Sequence, residues 1–177
     1  MTADRRKRFV LHAVMETAKN NNLQKGLRNM YDRYLVKEGS LRNEVKDGKA
    51  VGFTFQVHIG DYRGCFVSLI RGYYINVDGV EYPLESQKFE INGKAPRTYD
   101  ELAKCCWEYW DYDEWATIHV EKEGGLSVGE HELTIMQGVM SQYGWAAHDQ
   151  EWIDNPPDPR EMGGKQDKPY VFKMTVE

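Results

Sequence analysis

The first third of the chain has its apolar residues at helical spacing. They recur every three or four positions and form one stripe: Leu23, Leu27, Met30, Tyr31, Tyr34 and Leu35. Three asparagines, 20–22, separate this stripe from an earlier run over 9–18 and suit a helix start. Gly39 and Ser40 mark the end of the second helix, and the polar residues 42–50 are typical of a loop. We therefore predict an N-terminal helical arm over residues 1–50.

From Val51 onward the hydrophobic period changes from 3.6 to 2. Residues 51–59 alternate apolar and polar, a long strand is predicted over 65–77, and Asp78-Gly79 is a two-residue hairpin signal. Further strands are predicted from the same alternation at 87–91, 115–120, 131–135 and 170–176. Thr98 and Glu101 match a capping box, which predicts a short helix running toward Trp107. The pattern indicates a mainly β protein, an antiparallel β-sandwich or jelly-roll-like domain over 51–177.

One connection in this domain is unusually long. Residues 141–168 carry Tyr143, Trp145, His148 and Trp152 and a proline-rich run. Connections are usually about 4–6 residues long, and much longer ones tend to be lids or binding loops. The aromatic content argues against simple disorder. We interpret 141–168 as a Trp-rich functional loop.

Charge and composition narrow the function classes. The net charge of −5 divides into +6 for residues 1–50 and −11 for residues 51–177. Acids dilute the basic arm, so we favour a solvated helical face or a contact to an acidic surface over nucleic acid. No stretch approaches the ~18 apolar residues of a membrane span and no secretory h-region follows the basic start, so we expect a cytoplasmic protein. Three cysteines give no disulfide framework, and we expect them to be reduced.

The sequence lacks the marks of a self-sufficient catalytic centre. No His-x-His motif, Gly-x-Ser-x-Gly elbow or Gly-rich phosphate loop occurs. His58, His119 and His131 fall on separate predicted strands, so a three-histidine metal cluster stays open as an alternative. A carboxylate pair for glycoside hydrolysis also stays open, because acids are plentiful. We expect no catalytic residue, metal or cofactor in this chain.

The tryptophans point to a surface. All five lie between residues 107 and 152, and residues 107–115 pack three Trp and two Tyr among four acids. Such residues serve as core, as protein interface or as a stacking surface for ligands. We take Trp107 and Trp110, with the aromatic and histidine residues of the 141–168 loop, as candidates for a substrate pocket or partner interface.

Several motifs in one order resemble a known family. The segments are Tyr62-Arg-Gly-Cys-Phe-Val-Ser-Leu-Ile70, Val77-Asp78-Gly79, Thr98-Tyr-Asp-Glu-Leu102, Trp107, Ala116-Thr-Ile-His-Val120 and Gly124-Gly-Leu126 with Gly129-Glu-His131. Over roughly residues 51–136 they resemble the small (β) subunits of bacterial C-glycoside deglycosidases. The N-terminal helices and the Trp-rich loop lie outside this resemblance.

The resemblance implies an accessory subunit. Such a subunit is a β-sandwich in 1:1 complex with a larger (β/α)8-barrel subunit, as a heterotetramer or a larger assembly. The barrel subunit would hold the catalytic residues and a divalent metal, often manganese. The complex would be a lyase that cleaves the carbon–carbon bond of flavonoid-type 3-oxo-C-glucosides. The 3-oxo group acidifies the neighbouring C2 proton, and the metal stabilises the enediolate.

Within that framework we expect the 141–168 loop to reach over the barrel mouth and wall the aglycone pocket. Two alternatives come from other classes of protein. One is a free-standing carbohydrate-binding module, and the other is a cupin-like metal enzyme.

Overall fold

The computed structural model describes residues 34–61, 63–162 and 168–177. Ten strands and two short helices occur in this part of the chain. The strands are β1 (Arg42–Lys46), β2 (Lys49–Val57), β3 (Cys65–Phe66), β4 (Ile70–Val77), β5 (Val80–Tyr82), β6 (Gln87–Glu90), β7 (Tyr109–Trp110), β8 (Ala116–Glu121), β9 (Gly129–Val139) and β10 (Tyr170–Val176). The helices are α1 (Tyr99–Leu102) and α2 (Asp149–Asp154), and 3-10 turns occur at Val67–Leu69 and Leu84–Ser86.

Two four-stranded antiparallel sheets form the sandwich that the alternation predicts. Sheet 1 has the order β1-β2-β8-β6 and sheet 2 the order β10-β9-β4-β5, while β3 and β7 form a small separate pair. The inward residues of both sheets make one core, in which Phe53 of sheet 1 meets Tyr82 of sheet 2 and Phe89 meets Tyr73. The mainly β prediction is confirmed.

The predicted turns and helix cap are also confirmed. Asp78-Gly79 joins β4 to β5 with positive φ at both residues (52° and 85°), as a type I′ hairpin requires. Thr98 accepts from the Glu101 amide and the Glu101 carboxylate accepts from the Thr98 amide, which completes the capping box. The helix is shorter than predicted, because α1 ends at Leu102.

The sandwich begins before the predicted boundary at residue 50. Residues 42–46, predicted as loop, form the edge strand β1, and an Asp47-Gly48 hairpin joins it to β2. Its side chains are mostly exposed, so no apolar alternation marks it. Leu35, assigned to the helical stripe, is buried together with Val36 beside the end of β2, where Val36 bridges Val57. The stripe residues 23–31 lie outside the described residues.

The long strand predicted over 65–77 is interrupted. The 3-10 turn at Val67–Leu69 separates β3 from β4, and the pairing of β4 with β9 shifts register between Ile70 and Gly72. Gly72 has a φ of 134°, which few other residues adopt. None of the described helices is long and apolar enough to cross a membrane.

Candidate functional site

One end of the sandwich collects the exposed aromatic residues, and we call it the aromatic end. Here β2 and β9 end, and β4 and β8 begin. The connections that meet there contain the described residues of 58–69, 91–115 and 140–148. Backbone hydrogen bonds tie them together: Val67 N–H donates to Glu108 O at 2.9 Å, and Met140 N–H donates to Leu69 O at 3.0 Å. Exposed side chains at this end include Tyr34, Phe66, Trp107, Tyr109, Tyr112, Trp115, Tyr143 and Trp145.

The tryptophans of residues 107–115 have different environments. Trp107 is 97 % exposed, whereas Trp110 is fully buried. Trp110 packs edge-on against Phe89, and its Nε1 donates to Glu114 O at 2.9 Å. Its assignment to a pocket or interface was therefore wrong, because a side chain inside the core of this chain cannot contact a partner. The strand β7 turns Trp110 inward and leaves its neighbour Tyr109 exposed.

A buried carboxylate fixes the backbone beside Trp107. Glu108 accepts two hydrogen bonds from the Arg97 guanidinium, at 2.7 and 2.8 Å, one from Lys94 at 2.6 Å and one from Asn92 at 3.0 Å. The bonds from Arg97, followed by those from Lys94 and Asn92, outweigh burial and lower the pKa of Glu108 to about 2. We call this group the Glu108 clamp. It holds the turn after β6 against β7.

Trp115 contributes a second aromatic contact. Its ring lies 5.1 Å from the His58 ring at 66°, and Lys37 Nζ lies 5.5 Å from its centroid. Phe66 and Tyr109 pair across β3 and β7 in an edge-on contact at 5.5 Å. Sequence reasoning missed Phe66 and Tyr109 as surface residues. The alternation of side chains along a strand indicated that neighbouring residues point to opposite faces. It did not indicate which face of the two-residue strands β3 and β7 points to the solvent.

The first part of the long loop adds exposed aromatic residues. Tyr143 lies under the Arg63 guanidinium at 5.2 Å, and Trp145 is 68 % exposed. The contact joins this loop to the connection before β3. His148 and Trp152 stack at 3.8 Å around the start of α2, where Trp152 is only partly exposed. Of the four candidates in this loop, Tyr143 and Trp145 are exposed aromatic side chains, while His148 and Trp152 pack on each other.

The second part of the loop, residues 155–162, lies on the outer face of sheet 2, and we call it the strap. Gly138 on β9 leaves room there, because a Cβ at this position would lie 3.1 Å from Pro159. Arg160 covers the Tyr74 ring at 4.5 Å, and it pairs with Asp158 at 2.6 Å. Met162 is buried. The loop is therefore anchored on the sandwich beyond α2.

The three strand histidines do not meet. His119 lies on the outer face of sheet 1 between Glu44 (3.1 Å) and Glu90 (2.7 Å). Burial raises the pKa of Glu44, but hydrogen bonds from His119 and Lys46 outweigh it and the pKa is lowered. A groove of about 720 Å³ runs along this face, lined mainly by lysine and glutamate side chains that include the pairs Lys46–Glu44 and Lys88–Glu121.

His131 joins two of the motifs from the sequence. Its Nδ1 lies 2.5 Å from Asp78 Oδ2 and its Nε2 lies 2.8 Å from Ser127 O. Hydrogen bonds to the Asp78 carboxylate and to the Ser127 carbonyl raise the pKa of His131. Asp78 Oδ1 also accepts from the Glu132 amide, so the hairpin is fixed to β9. The pair is structural, and only the fold reveals it.

Across the described residues, no group of three or more His, Cys, Asp or Glu side chains is placed to hold a metal ion. The three cysteines are free. Burial raises the pKa of the Cys65 thiol to about 12, so it is not an activated nucleophile. Within the described residues, we therefore take the aromatic end as the candidate functional site.

These features define an antiparallel β-sandwich protein that displays aromatic side chains from the loops at one end. A family model described as "C-glycoside deglycosidase beta subunit" matches residues 31–143. The chain therefore belongs to the C-glycoside deglycosidase beta subunit family, as the motifs of the sequence suggested. The match includes β1 to β9, the Glu108 clamp and the Asp78–His131 pair, and it ends before Trp145.

Two curated relatives carry the same description. The C-glycoside deglycosidase beta subunit of Eubacterium cellulosolvens (strain ATCC 43171 / JCM 9499 / 6) is 33 % identical over 103 residues, which cover 58 % of this chain and 69 % of the relative. The one from Microbacterium trichothecenolyticum is 32 % identical over 104 residues, or 57 % of this chain and 72 % of the relative.

Proposed function

We propose that this chain is the accessory subunit of a C-glycoside deglycosidase, a lyase-type complex that cleaves the carbon–carbon bond of flavonoid-type 3-oxo-C-glucosides. A larger (β/α)8-barrel subunit carries the catalytic residues and a divalent metal, in 1:1 stoichiometry within a heterotetramer or a larger assembly. The observation that carries the proposal is the match of residues 31–143 to the beta subunit family. Residues suited to a metal do not cluster in the described part of this chain, which fits a metal held by the partner.

The contribution of this chain to the reaction is to shape the site and exclude water. Tyr143 and Trp145 are 56 % and 68 % exposed, and aromatic side chains suit contact with the flat rings of a flavonoid aglycone. His148 and Trp152 stack on each other at the start of α2. The strap anchors the 141–168 loop on the sandwich beyond α2, so the loop has less conformational freedom to lose. Placing it over the barrel mouth would therefore cost little conformational entropy. Excluding water there strengthens every electrostatic interaction with the developing enediolate.

The test replaces Trp145 and Trp152 together with alanine in the assembled complex. We expect the KM for a flavonoid 3-oxo-C-glucoside to rise about tenfold, since losing aromatic contacts costs roughly 1–2 kcal/mol. A single-ring aryl C-glucoside should be affected less. The matched control is Val171→Ala, which removes an exposed side chain from β10. Unchanged KM values in an intact complex would refute the proposed pocket wall.

A carbohydrate-binding module is the second candidate, favoured by the almost fully exposed ring of Trp107. Tryptophan faces stack on the apolar faces of sugars. Isothermal titration of the isolated chain with a C-glucoside separates the candidates. Binding by the chain alone, which Trp107→Ala abolishes, would favour the module.

A further inference from the structure

The exposed apolar residues are sorted by type between the two ends of the sandwich. Within 34–61, 63–162 and 168–177, every exposed aromatic side chain lies at the aromatic end. At the end that contains the Asp47-Gly48 and Asp78-Gly79 hairpins, the exposed large apolar residues of these ranges are the aliphatic Val45, Val80 and Val128. The other exposed aliphatic residues of these ranges are Ile153 on α2 and Val171 on β10. The outer face of sheet 1 carries the lysine–glutamate groove. Interface centres are enriched in tryptophan and tyrosine and depleted in lysine and glutamate, so the aromatic end is the surface suited to a protein partner.

Trp107 has the attributes of an anchor residue. Its side chain is 97 % exposed, although the Glu108 clamp holds the backbone on its C-terminal side. Glu108 N–H also donates to Cys105 O at 3.2 Å, and Glu108 O accepts from Val67. A large ring on a fixed backbone loses little conformational freedom on binding, which is the condition for an interface hot spot.

The charges around the aromatic residues restrict the partner further. Asp111, Asp113 and Glu114 are exposed between Tyr109 and Trp115, and no Lys or Arg occurs within 107–115. Lys37 and Arg63 lie against the Trp115 and Tyr143 rings, so the exposed acids form a patch at 111–114 rather than a complete rim. This patch complements Lys or Arg side chains beside an apolar pocket. A second copy of this chain would bring the same acids against them, so charge disfavours self-association through this face.

We propose that the aromatic end is the docking face for the larger catalytic subunit, with Trp107 inserted into an apolar pocket whose rim carries Lys or Arg side chains. This inference rests on the proposed function. Docking through this end also brings Tyr143, which contacts Arg63 beside β3, to the edge of the interface. That position agrees with a loop that walls the substrate pocket.

The test measures the dissociation constant of the full chain for the purified barrel subunit encoded with it. Trp107→Ala should weaken binding about 30-fold, as loss of a hot-spot ring does. Asp113→Lys should weaken it several-fold and reduce its salt dependence. The controls lie at the opposite end: Val128→Ala matches Trp107 in exposure, and Glu123→Lys matches Asp113→Lys in charge. Both controls should bind like the wild type.

Different results separate the two proposals. If the wild-type chain does not bind the barrel subunit, the proposed function and the docking face both fail. If the wild type binds and both aromatic-end variants bind equally well, only the docking face fails. If Trp107→Ala instead converts a self-associated chain to monomers without weakening barrel binding, the face is an interface between copies and the inference is wrong. Because Trp107 is 97 % exposed, Trp107→Ala should leave the fold intact, and the variant should unfold at the same temperature as the wild type.

Discussion

The Glu108 clamp connects the stability of the sandwich to its aromatic end, and Glu108→Gln tests it. The Glu108 side chain is 8 % exposed and accepts hydrogen bonds from Arg97, Lys94 and Asn92. Glutamine keeps the size of the side chain but removes the charge. It also replaces one acceptor oxygen with a donor, which faces the guanidinium or the ammonium group.

The pKa of Glu108 gives the size of its contribution to the free energy of unfolding. These hydrogen bonds lower it from 4.5 to about 2, against the effect of burial. At about 1.4 kcal/mol for each pKa unit, the ionised side chain contributes at most about 3 kcal/mol to the free energy of unfolding. Because the pKa is lowered in the folded protein, this contribution is fully present above pH 4.5. It is lost as the pH falls through about 2.

Urea unfolding of the full chain at pH 7 and in acid measures the effect. We expect Glu108→Gln to be less stable by about 2–3 kcal/mol at pH 7, with a smaller difference at low pH. The matched control is Glu121→Gln, which breaks an exposed pair with Lys88 and should cost at most about 0.5 kcal/mol. Equal costs for the two variants at pH 7, or a deficit that does not change with pH, would refute the reasoning.

Two further variants test other parts of the structure. Gly138→Val would place a side chain against Pro159, so it should displace the strap and speed tryptic cleavage after Arg160; an unchanged cleavage rate would contradict that packing. His131→Asn should lower the free energy of unfolding by about 1 kcal/mol below pH 6.5. Because the pKa of His131 is raised in the folded protein, the contribution of its charge to that free energy is fully present below pH 6.5 and is lost as the pH rises through the folded-state pKa. Urea midpoints at pH 5.5 and 9 measure this loss, and a pH-independent difference would count against it.

The parts of the fold that depend on interactions between nearby residues could be predicted from the sequence. The alternation of Phe53, Phe55 and Val57 predicted β2, because strand side chains point to opposite faces whatever their partner. Asp78-Gly79 and the Thr98 capping box were likewise predicted, since backbone conformation and nearby hydrogen bonds decide them. The edge strand β1 was missed because its mostly exposed residues carry no apolar alternation, and only pairing with β2 makes them a strand.

The candidate site was readable only in part. Composition placed the aromatic residues of 107–115 and 141–152 in segments suited to binding, and the structure leaves Trp107, Tyr143 and Trp145 exposed. Composition could not show that Trp107 is exposed and Trp110 is buried. The burial of Trp110 depends on which face of the two-residue strand β7 packs against Phe89. Phe66 joins the surface only because β3 pairs with β7.

The sequence by itself determined which segments become strands and turns, and it contained the motifs that the family match includes. The tertiary structure alone decided which side chains meet across long separations. Asp78 with His131 and Gly138 with Pro159 are such pairs. Local propensity acts over a few residues, whereas these contacts exist only after β4 has paired with β9 and the strap has packed on sheet 2. The aromatic end is likewise a product of the fold, because β2, β6 and β9 end there and β4 and β8 begin there.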